Sequence, residues 1–438
     1  MSECSVAPLD LFKKHPIQTA IESSHYEEVR PSTTIANAAP IEFLIVGNES
    51  YVDLSSTLLK ITARVLGPDG TGIAINVLAA PVNNFIHSIF SKVTVDLNGS
   101  GVSDTTHTYA YKAYLETLLN FSSDTKNGEL SASLWYSDEP GKFNNTAVSG
   151  GGQNSGFVKR KRLGGEGKLL PLMGSIKDSV LNQDKYLLDG VDVRITLFRS
   201  KDDFCILRAD GTMDTPAIDY KTEIESAVLY VRRVNLSPHC QMAINSAMEI
   251  SPAKYEFVRT DIRTYSIPTG VTEFTQANLV LGQIPRRLIL FFVKTTAYHG
   301  TYSENPFNME NLDINFVQLQ HGGTAIPSSA LTPNFNYQNG DYVRSYMQFQ
   351  DGLYKSLKDE DAGISYESFG KGSTFFIFKL AAEDSIESCV EPGKRGSINA
   401  TVRFGTPVPY PITVFCYREF DSSFTITKER EVELDYIV

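Results

Sequence analysis

Cysteine is scarce in this chain of 438 residues: five occur, at positions 4, 205, 240, 389 and 416. An odd, low count without a CxxC spacing excludes a disulfide framework. It also argues against structural zinc, whose ligands come in short-spaced pairs. Tryptophan occurs once, at Trp135. The histidines (His15, His25, His87, His107, His239, His299 and His321) form no HExxH and no close pair. No GxSxG elbow is present, and no GxGxxG follows a strand and opens a helix. No apolar run approaches the roughly 18 residues of a membrane-spanning helix. The longest, Leu288 to Val293, has strand length. The opening MSECSVAPLDLFKKHPIQ lacks the apolar stretch of a secretory signal. On that basis the Asn-X-Ser/Thr matches at Asn48, Asn98, Asn120, Asn144, Asn235 and Asn399 are read as chance, and the compartment as reducing. No metal, cofactor or catalytic residue is expected.

Positive charge is also in deficit. Lys plus Arg is 40 against 51 Asp plus Glu, a net charge of −11. That excludes a broad electrostatic grip on nucleic acid, and no sequence-specific nucleic-acid contact is expected. The one dense basic run is Lys159, Arg160, Lys161 and Arg162. It is read as the tip of a solvated loop, with nuclear import as the functional alternative. The neighbouring RLGGEGK is no phosphate-binding loop, because Arg162 and Leu169 stand where that motif needs Gly and Ser or Thr. The acidic pairs Glu27-Glu28 and Asp202-Asp203 are read as solvated surface rather than acid–base machinery.

What is present is β-pattern in quantity. Hydrophobic residues make up 42% and charged residues 21%, enough for a sizeable core and too apolar for a disordered chain. Leu59, Ile61, Ala63 and Val65 alternate with polar residues, as do Val93, Val95 and Leu97, and Val191 to Leu197. Asn98-Gly99 predicts a hairpin turn, since both central residues of a type I′ turn need positive φ. A helix is predicted over 106–121, with Tyr111, Tyr114, Leu115 and Leu118 on one face and Asp104, Thr105 or Thr106 as its cap. Its aromatics Tyr109, Tyr111 and Tyr114 suit packing on a sheet edge or a subunit interface.

After the boundary near Ser237 the order repeats. NFVQLQHGGTAI ends a strand in a Gly turn. A helix over 344–357 follows, with Tyr346, Phe349, Leu353 and Leu357 on one face, and then more strands. The expected domains are an N-terminal arm (1–34), a first β domain (35–237) containing a long irregular loop (122–168), a linker (238–252) that Ser237-Pro238 opens as a short helical segment through about Met248, and a second β domain (253–438). Regularly spaced short strands with turn signals favour sandwiches or barrels.

Several segments resemble the major capsid (hexon) proteins of Maverick/Polinton elements and adintoviruses. They include SSHYEEVRP with PIEFLI (23–45), YVDLSSTLLKITARV (51–65), VNNFIHSIFSKVTVDLNG (82–99) and TYAYKAYLETLLNF (108–121). The second half adds ANLVLGQIPRRLILFFVKTTAYHGTYSENPFNMENLDINFVQL (277–319), IPSSALTPNF (326–335) and the closing VFCYREFDSSFTI. The resemblance implies an all-β fold of two tandem eight-stranded jelly-roll sandwiches, a double jelly roll, with a short helix inserted in each. It further implies homotrimeric capsomers that contact neighbouring capsomers and a minor (penton) capsid protein in an icosahedral virion assembled inside the host cell, with the nucleus as one location. Rival readings are a minor capsid protein, a domesticated capsid-derived protein and, behind these, a carbohydrate-binding β-sandwich.

Overall fold

The computed structural model describes residues 17–36, 39–209, 219–336, 339–356, 358, 360–381 and 394–436. In its first half the strands are β1 (Ile21–Val29), β2 (Ile41–Ile45), β3 (Tyr51–Leu66), β4 (Ala79–Pro81), β5 (Phe90–Leu97), β6 (Ser100–Asp104), β7 (Leu170–Ser175), β8 (Val193–Arg199), β9 (Ile206–Arg208) and β10 (Lys221–Leu236). Two four-stranded sheets, in the orders β1-β10-β3-β7 and β2-β8-β5-β6, face each other, and β4 pairs with β9 apart from them. The second half contains β11 (Ala253–Ile267), β12 (Glu273–Gln283), β13 (Arg287–Lys294), β14 (Ile314–His321), β15 (Thr324–Leu331), β16 (Phe376–Lys379), β17 (Arg395–Phe404), β18 (Ile412–Ile426) and β19 (Val432–Leu434). Its sheets run β11-β18-β13-β16, with β19 added on β18, and β12-β17-β14-β15. With the short β4, β9 and β19 set aside, both halves wind identically. In each, the first and last strands pair, and the fourth and fifth form a hairpin in the opposite sheet.

Those two hairpins are the Gly turns of the sequence. Asn98 and Gly99 take φ of 48° and 80°, and Gly322 and Gly323 take 55° and 83°. All four lie in the left-handed region that a type I′ turn demands. Each hairpin precedes a helix, Tyr109–Asn120 in the first half and Val343–Gly352 in the second. The duplicated order is thus a duplicated topology.

Alternation fixes the faces. Ile41, Phe43 and Ile45 of β2 and Val93, Val95 and Leu97 of β5 point into the first sandwich and are buried. Strand β13 is different, because both of its faces are covered. Leu288, Leu290 and Phe292 lie in the core of the second sandwich. Ile289, Phe291 and Val293 join the core that continues into the first half. A strand buried on both faces reads as an unbroken apolar run, which is why the longest run of the chain falls there.

Three expectations need correction. Residues 21–29, assigned to the arm, form strand β1, paired with β10 from Ile21↔Leu236 to Val29↔Leu229. The loop 122–168 contains short helices, Ser123–Asn127 and Ser155–Gly164, and a 3-10 turn at Glu129–Ser133. The linker, by contrast, holds the short helix that the Ser237-Pro238 start suggests, Pro238–Met248, capped by the Ser237 hydroxyl, which accepts from the Cys240 amide. The second-half helix ends at Gly352, and Leu357 lies outside the described residues.

Candidate assembly site: the junction and the outer surface

Helix Tyr109–Asn120 is covered on nearly every side. Tyr109, Ala110, Tyr111, Lys112, Ala113, Tyr114 and Leu115 are all buried. One face packs on the first half, and Tyr111 and Tyr114 reach the second. The Tyr111 ring lies 4.4 Å from Phe415 and 5.7 Å from Phe307. Tyr114 stacks on Phe307 at 4.1 Å and lies 5.1 Å from Trp135. Phe415 stacks in turn on Phe291 of β13. Of the aromatics singled out in the helix, Tyr111 and Tyr114 therefore form an interface between two halves of one chain, whereas Tyr109 packs within the first half against His87. In the second half, Phe349 is fully buried among Phe369 and Phe375, while Tyr346 is half-buried and donates to the Ile364 carbonyl.

The basic run is placed against expectation. It lies on helix Ser155–Gly164, capped by the Asn154 side chain, which accepts from the Phe157 amide. A helical turn of 3.6 residues sends Arg160 inward while Lys159 and Arg162 stay in water. Arg160 and its partner Asp138 both have 0% side-chain exposure, and Nη2 sits 2.6 Å from the carboxylate. Its remaining donors reach the carbonyls of Pro81 and Tyr136. Asp138 also accepts from Asn154 at 2.7 Å and, across the junction, from Asn305 at 3.0 Å. This buried cation ties the insertion of the first half to the second half. Lys161 donates to the Ile75 carbonyl. The four residues do not present a continuous exposed basic patch.

Two further ties close the junction. Lys126 donates to the carbonyls of Leu118 and Ala362. Arg430, in the turn between β18 and β19, holds Asp189 at 2.6 Å, and Asn98 donates to the Arg430 carbonyl. The halves are joined by polar contacts at the rim and aromatic contacts at the centre.

Inside the first half, His87 is fully buried with Nδ1 3.0 Å from the Tyr109 hydroxyl. Burial, aided by the charge of Lys177, pushes its pKa down to about 3. An unfolded histidine titrates near ~6.5, so below that pH the unfolded chain binds a proton that the folded chain refuses. Stability is therefore lost as pH falls from ~6.5, by about 1.4 kcal/mol per pH unit. Urea titrations at pH 7 and pH 5 check this. The wild type should lose about 2 kcal/mol more than His87→Gln over that range.

The outer surface offers edges and a few apolar side chains. Strands β1 and β11 each end a sheet among the described residues. Glu22, Glu27 and Glu28 occupy β1, and charged residues punctuate β11, which is the usual defence of an edge against unwanted pairing. Met242 and Ile250 project from the uncharged connecting helix and its end, with Leu281 on β12 and Val343 on the second-half helix. Apolar residues scattered singly in this way are normal on a protein surface and mark no site by themselves. Among the described residues no group of three or more His, Cys, Asp or Glu could hold a metal ion. No helix among them is long and apolar enough to cross a membrane. Trp135 is buried and forms no exposed aromatic platform for a sugar.

No family model matches the chain. The uncharacterized protein F54H12.2 of Caenorhabditis elegans is 25% identical over 435 residues, covering 96% of this chain and 99% of that one. Among solved structures, a chain of the Sputnik virophage superposes with a TM-score of 0.64 at 13% identity, covering 99% of this chain and 93% of that one. The mavirus major capsid protein gives 0.56 at 11% identity, again over 99% and 93%. A chain of the PBCV-1 virus capsid gives 0.55 at 9% identity, over 98% and 100%. Full-length superposition covers both sandwiches at once. The fold is a double jelly roll. Within it, each half supplies one jelly roll, and the buried helix Tyr109–Asn120 lies at the seam between them.

Proposed function

We propose that this double jelly roll is a major capsid protein, a structural subunit of a virion rather than an enzyme. The observation that carries this reading is the end-to-end likeness to capsid proteins of virophages and a giant virus, over both jelly rolls and their joint. Within the proposal, the first jelly roll runs through Leu236, residues 238–252 connect, and the second begins at Ala253. Three copies, each contributing two modules of identical winding, form a pseudo-hexagonal capsomer. Closed threefold symmetry makes that capsomer a finite building block, and hexagonal blocks tile an icosahedral shell together with a penton protein. The quoted segments favour the Maverick/Polinton–adintovirus group as its lineage. A rigid junction suits this role, because the two modules must keep a fixed spacing to present a hexagon. The net charge of −11 keeps most of the surface from adhering to DNA. Nuclear import through Lys159–Arg162 is not part of the proposal, since Arg160 is buried.

Light scattering on the purified chain, followed by negative-stain microscopy of the same peak, tests it. A particle of about three times the 48.5 kDa chain mass with a hexagonal outline is expected. A protein that stays monomeric at every concentration, and with a penton protein added, overturns the capsomer.

A further inference from the structure

Independently of the capsid reading, we propose that Lys126 makes the seam between the two jelly rolls a proton-sensitive joint, which takes up one proton when it opens and so is tighter in alkaline than in neutral solution. Lys126 lies in the short helix Ser123–Asn127 and is 4% exposed. Its Nζ donates to carbonyls of both halves, Leu118 in the last turn of helix Tyr109–Asn120 and Ala362 of the second half. The last four carbonyls of a helix have no partner within it, so the lysine fills a gap that the helix end leaves. Lys355 repeats the arrangement, donating to the Asn120 carbonyl at 3.4 Å and to the Asp361 carbonyl at 3.2 Å. Two amino groups thus tie the end of the seam helix to residues 361–362.

The tie lacks a carboxylate. Among the described residues none lies within ion-pair distance of the Lys126 nitrogen. Asp124 and Glu129 on the adjoining turns are exposed, as are Lys358, Glu360 and Asp361 on the facing segment, and Glu116 lies with Lys112. The Trp135 ring, 6.0 Å from the nitrogen, covers another side. Burying an ammonium without a counter-charge is costly, and shedding the proton removes that cost. The proton can leave without breaking the tie, because a neutral amine keeps two N–H donors and has two carbonyls to serve. The helix end and Asp361 favour the charged form, but burial and the like charge of Lys355 prevail and push the pKa down to about 7. An unfolded lysine titrates near ~10.4. Between those values the opened or unfolded chain binds a proton that the closed seam refuses. Stability therefore rises with pH across that window and is lost as pH falls through it.

Urea titrations of the full-length wild type, Lys126→Gln and Lys126→Met at pH 7 and pH 9 test this. Gln keeps an amide with two N–H donors, Met keeps an unbranched chain, and neither titrates. From pH 7 to pH 9 the unfolding equilibrium constant of the wild type should fall about fiftyfold more than that of either variant, the ratio set by pKa values of about 7 and ~10.4. A difference under tenfold overturns the proposal, whatever the variants cost in absolute stability. A second measurement needs no variant and reports on Lys126 itself. Acetic anhydride labels a buried lysine only through opened molecules that carry a neutral amine. Labelling of an exposed lysine rises about tenfold per pH unit in this range, with its neutral fraction. Labelling of Lys126 should no more than about double from pH 7 to pH 9, because the closed form is already losing its proton at pH 7. Read by mass spectrometry, its labelling relative to the exposed lysines of the same chain should fall about fiftyfold. A fall of less than tenfold overturns the proposal, and if neither variant folds this ratio decides alone. None of these outcomes depends on whether the chain forms trimers.

Discussion

Arg160→Ala is expected to destabilise the fold by about 3–5 kcal/mol, the range for breaking one side of a buried, hydrogen-bonded ion pair. The residue loses more than a charge partner. Its guanidinium also serves the Pro81 and Tyr136 carbonyls, and removing it leaves Asp138 buried with only amide donors from Asn154 and Asn305. Asp138→Ala should cost a similar amount from the other side, stranding the cation. Lys159→Ala and Arg162→Ala, on the wet face of the same helix, should each stay within about 0.5 kcal/mol of wild type. Urea denaturation of the four variants checks the pattern. If Arg160→Ala behaved like its neighbours, the buried network would have no structural weight, and an import role for the run would return.

The basic run also shows where sequence reading fails. Four consecutive cations read as surface because burying a charge is expensive. The rule holds for three of them. The fourth is decided by helical phase, which places Phe157, Arg160 and Gly164 on one inward face. That phase is written in Asn154, a preferred helix start, followed by Phe157. The partner that makes burial tolerable, Asp138, lies outside the helix, so no local pattern contains it. Strand β1 was missed for the opposite reason. IESSHYEEV is exposed along almost its whole length, so it shows no inward face and no alternation. Only its ladder with β10 makes it a strand, together with Arg233, which reaches back from β10 to Glu27 at 2.7 Å.

The strands with one wet face were legible, and so were the hairpin at Asn98-Gly99 and the Gly turn at Gly322-Gly323, because alternation and positive φ are local requirements; strand β15, which completes the second hairpin, was not. The helix after each hairpin was legible as a helix. Its setting was not. Periodicity gave Tyr111, Tyr114, Leu115 and Leu118 as one apolar face, whereas burial extends to Lys112 and Thr117 on the other side. Lys112 lies in a charged group with Glu116 and Asp178, so polar letters at this seam do not mark the surface. A cleft beside Tyr111 was equally invisible, since its wall comes from four segments far apart in sequence.

The junction carries the second large effect. Phe307→Ala should destabilise the chain by about 3–5 kcal/mol, the usual cost of emptying a fully buried phenylalanine site. The ring is stacked on Tyr114, edge-on to Tyr111 and edge-on to Phe204, so its loss opens a void where both jelly rolls meet. The signature should differ from that of Leu319→Ala, which empties only the core inside the second jelly roll. After Phe307→Ala the two modules keep their own cores and lose the contact that sets their spacing. Hydrogen exchange should therefore rise first in helix Tyr109–Asn120 and in the loop that bears Phe307, with β5 and β14 protected until global unfolding. A double-mutant cycle with Tyr114→Ala isolates the stacked pair, for which a coupling of about 0.5–1.5 kcal/mol is expected. If exchange rose uniformly, the two jelly rolls would unfold as one cooperative unit. If it rose only at the seam, their spacing would be a separate property, and trimers of the variant should lose their hexagonal outline while each jelly roll stays folded.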